Sequence, residues 1–104
     1  MQLRYTPAAR EDLVEIRDYI AKALKNPAAA ANIVVGIVRQ CSILKDQPLC
    51  GAKLSAKTGR ETELRYLICG KHIAFYRVQE SYVSIIRILD GRTNYLLTLF
   101  SEQD

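Results

Sequence analysis

ELRYLICGKHIAFYRVQESYVSIIRIL, residues 63–89, decides the fold. Residues 63–68 alternate, with Leu64, Tyr66 and Ile68 on one face and Arg65 and Leu67 on the other, which is the two-residue period of a strand. Gly70-Lys71 can turn the chain. Residues 72–78 and 82–89 are rich in β-branched and aromatic side chains, and Gln79-Glu80-Ser81 separates them. Connections this short make the three strands an antiparallel meander.

Upstream, residues 6–46 read as two helices. Thr6 can cap free N–H groups and Pro7 suits the first helical position. Ala9, Leu13, Ile16, Ile20 and Leu24 then form one apolar stripe. Glu11 and Asp12 fall near the positive end of this helix, a favourable placement. Asn26-Pro27 repeats the start signal, and a second helix runs to about Asp46, ahead of Pro48. Its buried stripe is Ala30, Ile33, Val34, Ile37, Cys41 and Leu44. So short a break folds the helices into an antiparallel hairpin.

Residues 2–5 alternate polar and apolar and predict a short strand. Residues 48–61, PLCGAKLSAKTGRE, read as a connecting loop, and the apolar tail at 94–100 as a short helix or an extended edge. The expected class is α+β in the order β-α-α-β-β-β. An αα-hairpin covers one face of a twisted, mainly antiparallel four-stranded sheet that the first strand joins. No linker divides the chain, so residues 1–104 are expected to be one domain.

The 104 residues carry a net charge of +4, with 49% hydrophobic and 25% charged residues. That composition suits a packed core and excludes a disordered tail. No apolar run approaches the roughly 20 residues of a membrane span, and MQLRYTP lacks the pattern of a signal peptide. A cytoplasmic protein with no membrane partner is expected. Cys41, Cys50 and Cys69 are odd in number and contain no CxxC, and His72 is the single histidine. Buried free thiols are therefore expected, with no disulfide framework, metal or cofactor. Residues 53–92 hold eight basic and four acidic side chains, while the last twelve residues hold only Glu102 and Asp104. The positive excess thus gathers where a polyanion or an acidic protein would be drawn.

Phosphate-loop, dinucleotide-binding and serine-nucleophile motifs are absent from the sequence. What remains is a sheet decorated with arginines and tyrosines. Metal-free RNA cleavage needs a proton acceptor, a cation facing the phosphate and a proton donor. By residue type, Arg65, Arg87, Arg92, Tyr95 and His72 are candidates.

The ordered segments YTPAAREDLVEIRDYI, NPAAAANIVVGIV, QPLCG, ELRYLICGKHIAFYRV and VSIIRILDGRTNYLLTLF resemble the RelE/ParE superfamily, the toxins of type II toxin–antitoxin modules. The resemblance covers nearly the whole chain. It implies growth inhibition, neutralised by a cognate antitoxin. RelE-like members cut mRNA on the ribosome without metal, and ParE-like members poison DNA gyrase by protein binding. A degenerate, non-toxic antitoxin binder is a further alternative.

Arg65 matches the arginine of the family's R-x-L, Arg87 that of the last strand, and Arg92 and Tyr95 the basic and aromatic positions of the closing segment. Lys53, Lys57 and Arg60 fall in the loop where ribonuclease members are basic, and Lys71 and Arg77 are further candidates for RNA or target binding. Leu96, Leu97, Leu99 and Phe100 offer an antitoxin-docking strip. Ile73, Asp90 and Thr93 stand where ribonuclease members carry arginine, histidine and arginine. The long two-helix hairpin and the arginine missing at Ile73 tilt the reading slightly toward the ParE-like side.

Overall fold

The computed structural model describes residues 1–101; the acidic Glu102 and Asp104 lie outside the described residues. The order is β1 (Gln2–Tyr5), α1 (Pro7–Leu24), α2 (Pro27–Cys41), β2 (Ala52–Lys53), α3 (Leu54–Thr58), β3 (Arg65–Cys69), β4 (His72–Val78), β5 (Tyr82–Asp90) and α4 (Tyr95–Phe100). A single 3₁₀ turn, Ser42–Lys45, extends α2.

Both helix starts form as the capping residues predict. The Thr6 hydroxyl accepts from the Ala9 N–H at 3.1 Å, and the Asn26 side-chain oxygen accepts from the Ala29 N–H at 3.1 Å. Thr6 also donates to the Ile86 carbonyl at 2.8 Å, tying the start of α1 to β5. Thr6→Ala removes both bonds and should cost about 1–2 kcal/mol, measurable by urea denaturation. At the far end of α1, Lys25 takes a left-handed φ of 52°, and its N–H bonds the Ala21 carbonyl. The chain then reverses directly into α2, giving the antiparallel hairpin. Glu11 and Asp12 lie beyond the first turn of α1, so they do not complement the dipole as expected; Asp12 is buried instead.

The sheet order is β1-β5-β4-β3-β2. β1 joins the meander, parallel to β5, and every other pairing is antiparallel. The sheet has five strands where four were expected. Ala52-Lys53, inside the expected loop, pairs with Tyr66 and Arg65. A two-residue strand carries no readable alternation. The rest of that loop is α3, set by the fully buried Leu54.

Each face of the sheet is covered. On one, Ala9, Ile37, Cys41 and Leu44 from the hairpin region pack on Cys69, Ala74, Tyr76, Val83, Ile85 and Ile88. On the other, Leu54 and Leu64 pack with Ile73 and Phe75, under Tyr95, Leu96, Leu99 and Phe100. The tail is thus a helix that closes the second face. The helical stretch Pro27–Lys45 has 19 residues and a mean hydropathy of 1.4. Length and composition alone would let it reach across a bilayer, contrary to the expectation from apolar runs. Here its inner side, Ala30, Ile37, Cys41 and Leu44, is buried.

Candidate functional site

The arginines expected to act together are each engaged by a different intramolecular partner. Arg65, at the start of β3, donates from Nη2 to the carbonyls of Leu49 and Gly51 at 2.9 and 2.8 Å. Its neighbour across the strands is Tyr76. The buried Tyr76 hydroxyl donates to the Pro48 carbonyl at 2.9 Å and accepts from the Gly51 N–H at 3.0 Å. Arg65 and Tyr76 therefore stitch residues 48–51 to the sheet.

Arg87 turns toward the hairpin. Strands β4 and β5 pair in register up to Tyr76 opposite Ile85, after which Phe75 faces Arg87 and Ile86 is left as an extra residue. Such a bulge re-aims the side chain beside it. Arg87 grips Asp12 of α1 with two bonds, Nε to Oδ2 at 2.7 Å and Nη2 to Oδ1 at 2.8 Å. The Ile88 N–H adds a third donor to Oδ2 at 2.9 Å. Asp12 was not foreseen as important. Its signal was positional: it stands three residues after Ala9 and four before Ile16, inside the apolar stripe.

Arg92 is exposed and folds back on Asp90, with Nη2 2.9 Å from Oδ2. Hydrogen bonds from the Arg92 side chain, then from its backbone N–H, hold the Asp90 carboxyl down to about 2. That lies below the ordinary 3.8, so this contact stabilises the fold fully above the ordinary value. Its contribution fades as the pH falls toward 2. A carboxyl NMR titration should find Asp90 still largely ionised at about pH 3. His72, opposite Asp90 across β4 and β5, is lowered chiefly by burial, against the opposing pull of Asp90. It is neutral near pH 7.

A second group of candidates does come together, on the face away from the α1–α2 hairpin. The Lys57 ammonium lies 5.1 Å from the Tyr66 ring centre and 5.5 Å from that of Tyr95. A hydrogen bond to Tyr95 is the main cause of its raised pKa. Lys57 is therefore a fixed cation and not a proton acceptor. Tyr95 packs on Phe75 at 5.1 Å between ring centres, and Arg60 lies 4.1 Å over the Phe100 ring. Arg77 alternates with Phe75 onto this side, with its Nε buried and unpartnered. Lys53 and Lys71 are exposed, on β2 and in the β3–β4 turn. Of the C-terminal strip, Leu96, Leu99 and Phe100 pack against the core, and Leu97 points outward at 63% exposure.

A deep concavity lies elsewhere. A cleft of about 870 Å³ opens between the hairpin and the end of the sheet. Ile16, Ile20 and Leu24 of α1 and Ile33 and Ile37 of α2 give it apolar walls, while Glu15, Lys71, His72 and Arg92 also line it. Leu24 and Ile33, both expected in the buried stripes, are 57% and 38% exposed here. The Asp12–Arg87 pair lies at its base, against the sheet. No group of three or more histidine, cysteine or acidic residues is placed to hold a metal among the described residues.

No curated protein matches the sequence. Among solved structures, the chromosomal ParDE toxin–antitoxin system of P. aeruginosa is similar, with a TM-score of 0.74 and 28% identity over 86% of this chain and 95% of that one. The RelBE2 toxin–antitoxin complex of Mycobacterium tuberculosis shares the fold, with a TM-score of 0.53 and 23% identity over 86% and 95%. A model of the ParE toxin of type II toxin–antitoxin systems matches residues 3–95, almost the whole chain. With the hairpin, the parallel first strand and the closing helix in place, the chain belongs to the ParE toxin family of type II toxin–antitoxin systems.

Proposed function

We propose that this toxin arrests growth by binding DNA gyrase, without cleaving RNA, and that an antitoxin segment occupying the α1–α2 cleft restrains it. One observation carries the choice of target. Arg65, Arg87 and Arg92, the candidate phosphate grip, each satisfy partners within the chain, and the two that border one cleft, Arg87 and Arg92, are each tied to a carboxylate. Stabilising a transferring phosphate needs donors converging on one point, and these three point at a loop, a helix and a strand end. The remaining cations and rings suit recognition of a protein surface.

The antitoxin reading rests on the cleft's chemistry. Apolar walls with a mixed charged rim suit an amphipathic helix that inserts aliphatic anchors. Ile33→Asp, at a partly exposed wall position, should weaken antitoxin binding by about tenfold or more, measured by calorimetry, while the unfolding midpoint stays close to that of the unaltered chain.

The target is tested by expression without antitoxin, with separate readouts of plasmid topology and mRNA integrity. Loss of supercoiling by purified gyrase on adding the chain, with intact mRNA, is the expected result. Cleaved mRNA with unchanged supercoiling would overturn it in favour of a ribonuclease, for which the Lys57–Tyr95 contact would be the starting point. Harmless expression of a folded chain would identify a degenerate antitoxin binder.

A further inference from the structure

We propose that Arg4, Ser84 and Arg77 form a phosphate-contact row on the open part of the sheet, through which the toxin touches the backbone of duplex DNA. Ser84 of β5 is the cross-strand neighbour both of Arg4 on β1 and of Arg77 on β4. Neighbouring strands lie about 4.8 Å apart, so the two arginine backbones flank the serine at about 10 Å from each other. The residues next to them in their strands, Leu3, Tyr5, Val83, Ile85, Tyr76 and Val78, pack toward the hairpin. Alternation therefore sends Arg4, Ser84 and Arg77 to the opposite face. Gln2 and Tyr82, paired two residues earlier, share that face. The side chains of α4 pack there with Phe75 and Ile86, and the row, which belongs to neither core cluster, lies beyond them.

Both charges are left unneutralised. Among the described residues neither Arg4 nor Arg77 forms an ion pair, and Glu80, in the adjoining β4–β5 turn, pairs with neither. Arg87 and Arg92, by contrast, each hold a carboxylate. Neutral groups place Arg4. Its Nε and Nη2 donate to the Gln2 Oε1 at 3.3 and 3.0 Å, and its guanidinium lies 4.0 Å over the Tyr82 ring. The positive charge is thus fixed in position without being cancelled. Arg77 has a buried Nε with no acceptor, a donor the chain itself does not use.

Arginine, serine, tyrosine and glutamine are all side chains that donate to phosphate oxygens, and the row with its two flanking residues carries every one of them. A protein partner would call for an apolar centre inside a polar rim, and the Tyr82 ring is the one apolar body here. The row is separate from the α3–α4 group, where Lys57 and Arg60 sit over Tyr66, Tyr95 and Phe100. It also lies outside the α1–α2 cleft, so an antitoxin segment in that cleft leaves it exposed. The choice of duplex DNA over RNA rests on the gyrase reading, since a toxin bound to gyrase sits beside the DNA that enzyme holds. The phosphate contact itself does not rest on it.

The test is fluorescence anisotropy with the full chain, free of antitoxin and gyrase, and a labelled mixed-sequence duplex of about 20 base pairs, between about 50 and 200 mM salt. Binding should be indifferent to sequence and weaken linearly in a plot of log affinity against log salt. Arg4→Gln and Arg77→Gln should each lower that slope by about 0.9, and the double variant by about twice as much. Arg39→Gln removes an exposed charge from α2, on the hairpin side, and should leave the slope unchanged. If Arg77→Gln lowers the unfolding midpoint, the exposed Arg4 decides the matter alone. A dissociation constant weaker than about 10⁻⁴ M at the lowest salt would overturn the proposal. So would an equal effect of Arg39→Gln, which would reduce the contact to net charge, and so would tighter binding of single-stranded RNA through the same two arginines. Failure of the gyrase reading looks different: supercoiling by purified gyrase would be unchanged by a chain that still binds the duplex through this row.

Discussion

Asp12→Ala should destabilise the fold by about 3 kcal/mol or more, since breaking one side of a buried ion pair strands the other charge. Asp12 is 7% exposed at its side chain and Arg87 29%, so the guanidinium retains some water and the cost falls toward the lower end of that range. The carboxylate serves three donors: two from Arg87 and the Ile88 N–H. Losing it also orphans a buried backbone N–H in β5, which adds to the penalty. Urea denaturation at neutral pH measures the effect. Asp12→Leu combined with Arg87→Met should recover most of the loss, because an apolar pair of similar volume removes both desolvation costs. This result separates two meanings of Arg87. If Arg87 serves α1, Arg87→Ala lowers stability and toxicity falls only through loss of folded protein. A stable Arg87→Ala chain that is no longer toxic would instead place this arginine at the target.

The contrast between what the sequence reveals and what it hides follows from the range of each interaction. The αα-hairpin is local. Thr6-Pro7 and Asn26-Pro27 announce both helix starts within a few residues, and the apolar steps of three and four mark the inward faces. The meander is nearly as legible, since alternation and short turns are properties of adjacent residues. Arg87 is different. Simple alternation cannot say that Ile86 is an extra residue opposite β4, and that bulge brings the arginine to a carboxylate 75 positions away. Arg65 is hidden for another reason: its acceptors are backbone carbonyls, which every residue has, so nothing in the side-chain pattern names Leu49 or Gly51. The family pattern names basic positions and cannot say how their donors are used. Lys57 and Tyr95 do meet, because α3 and α4 pack on the same sheet face, a juxtaposition that no spacing in the chain reveals. Leu24 and Ile33 belong to the apolar stripes and yet stay exposed, because periodicity reports a face and not what covers it.

Gly51→Ala is the sharpest test of how the 48–51 crossing is held, with an expected cost of roughly 3–5 kcal/mol from overpacking and lost hydrogen bonds together. A Cβ at this position would lie 2.5 Å from the Tyr66 carbonyl oxygen, 2.5 Å from the Tyr76 hydroxyl and 2.8 Å from the Tyr76 ring. None of these can step aside cheaply. Tyr66 is the β3 residue opposite Ala52, so moving its carbonyl disturbs the only pairing that β2 makes among the described residues. Tyr76 is fully buried among the residues that carry the hairpin. If the loop moves instead, the Gly51 N–H leaves the Tyr76 hydroxyl, and the two carbonyls bound by Arg65 shift with it. Tyr76→Phe isolates one part of this network. It leaves the Gly51 N–H and the Pro48 carbonyl without their shared partner and should cost about 1–3 kcal/mol, with faster hydrogen exchange at the Gly51 amide. The comparison bears on function as well as stability. Arg65 is committed to the loop only if the loop is held firmly. Should Gly51→Ala cost less than about 0.5 kcal/mol, within the range of a neutral surface substitution, the crossing would be loose enough to release the Arg65 donors. A free Arg65 would then revive a phosphate-binding role at the start of β3, and with it the ribonuclease reading.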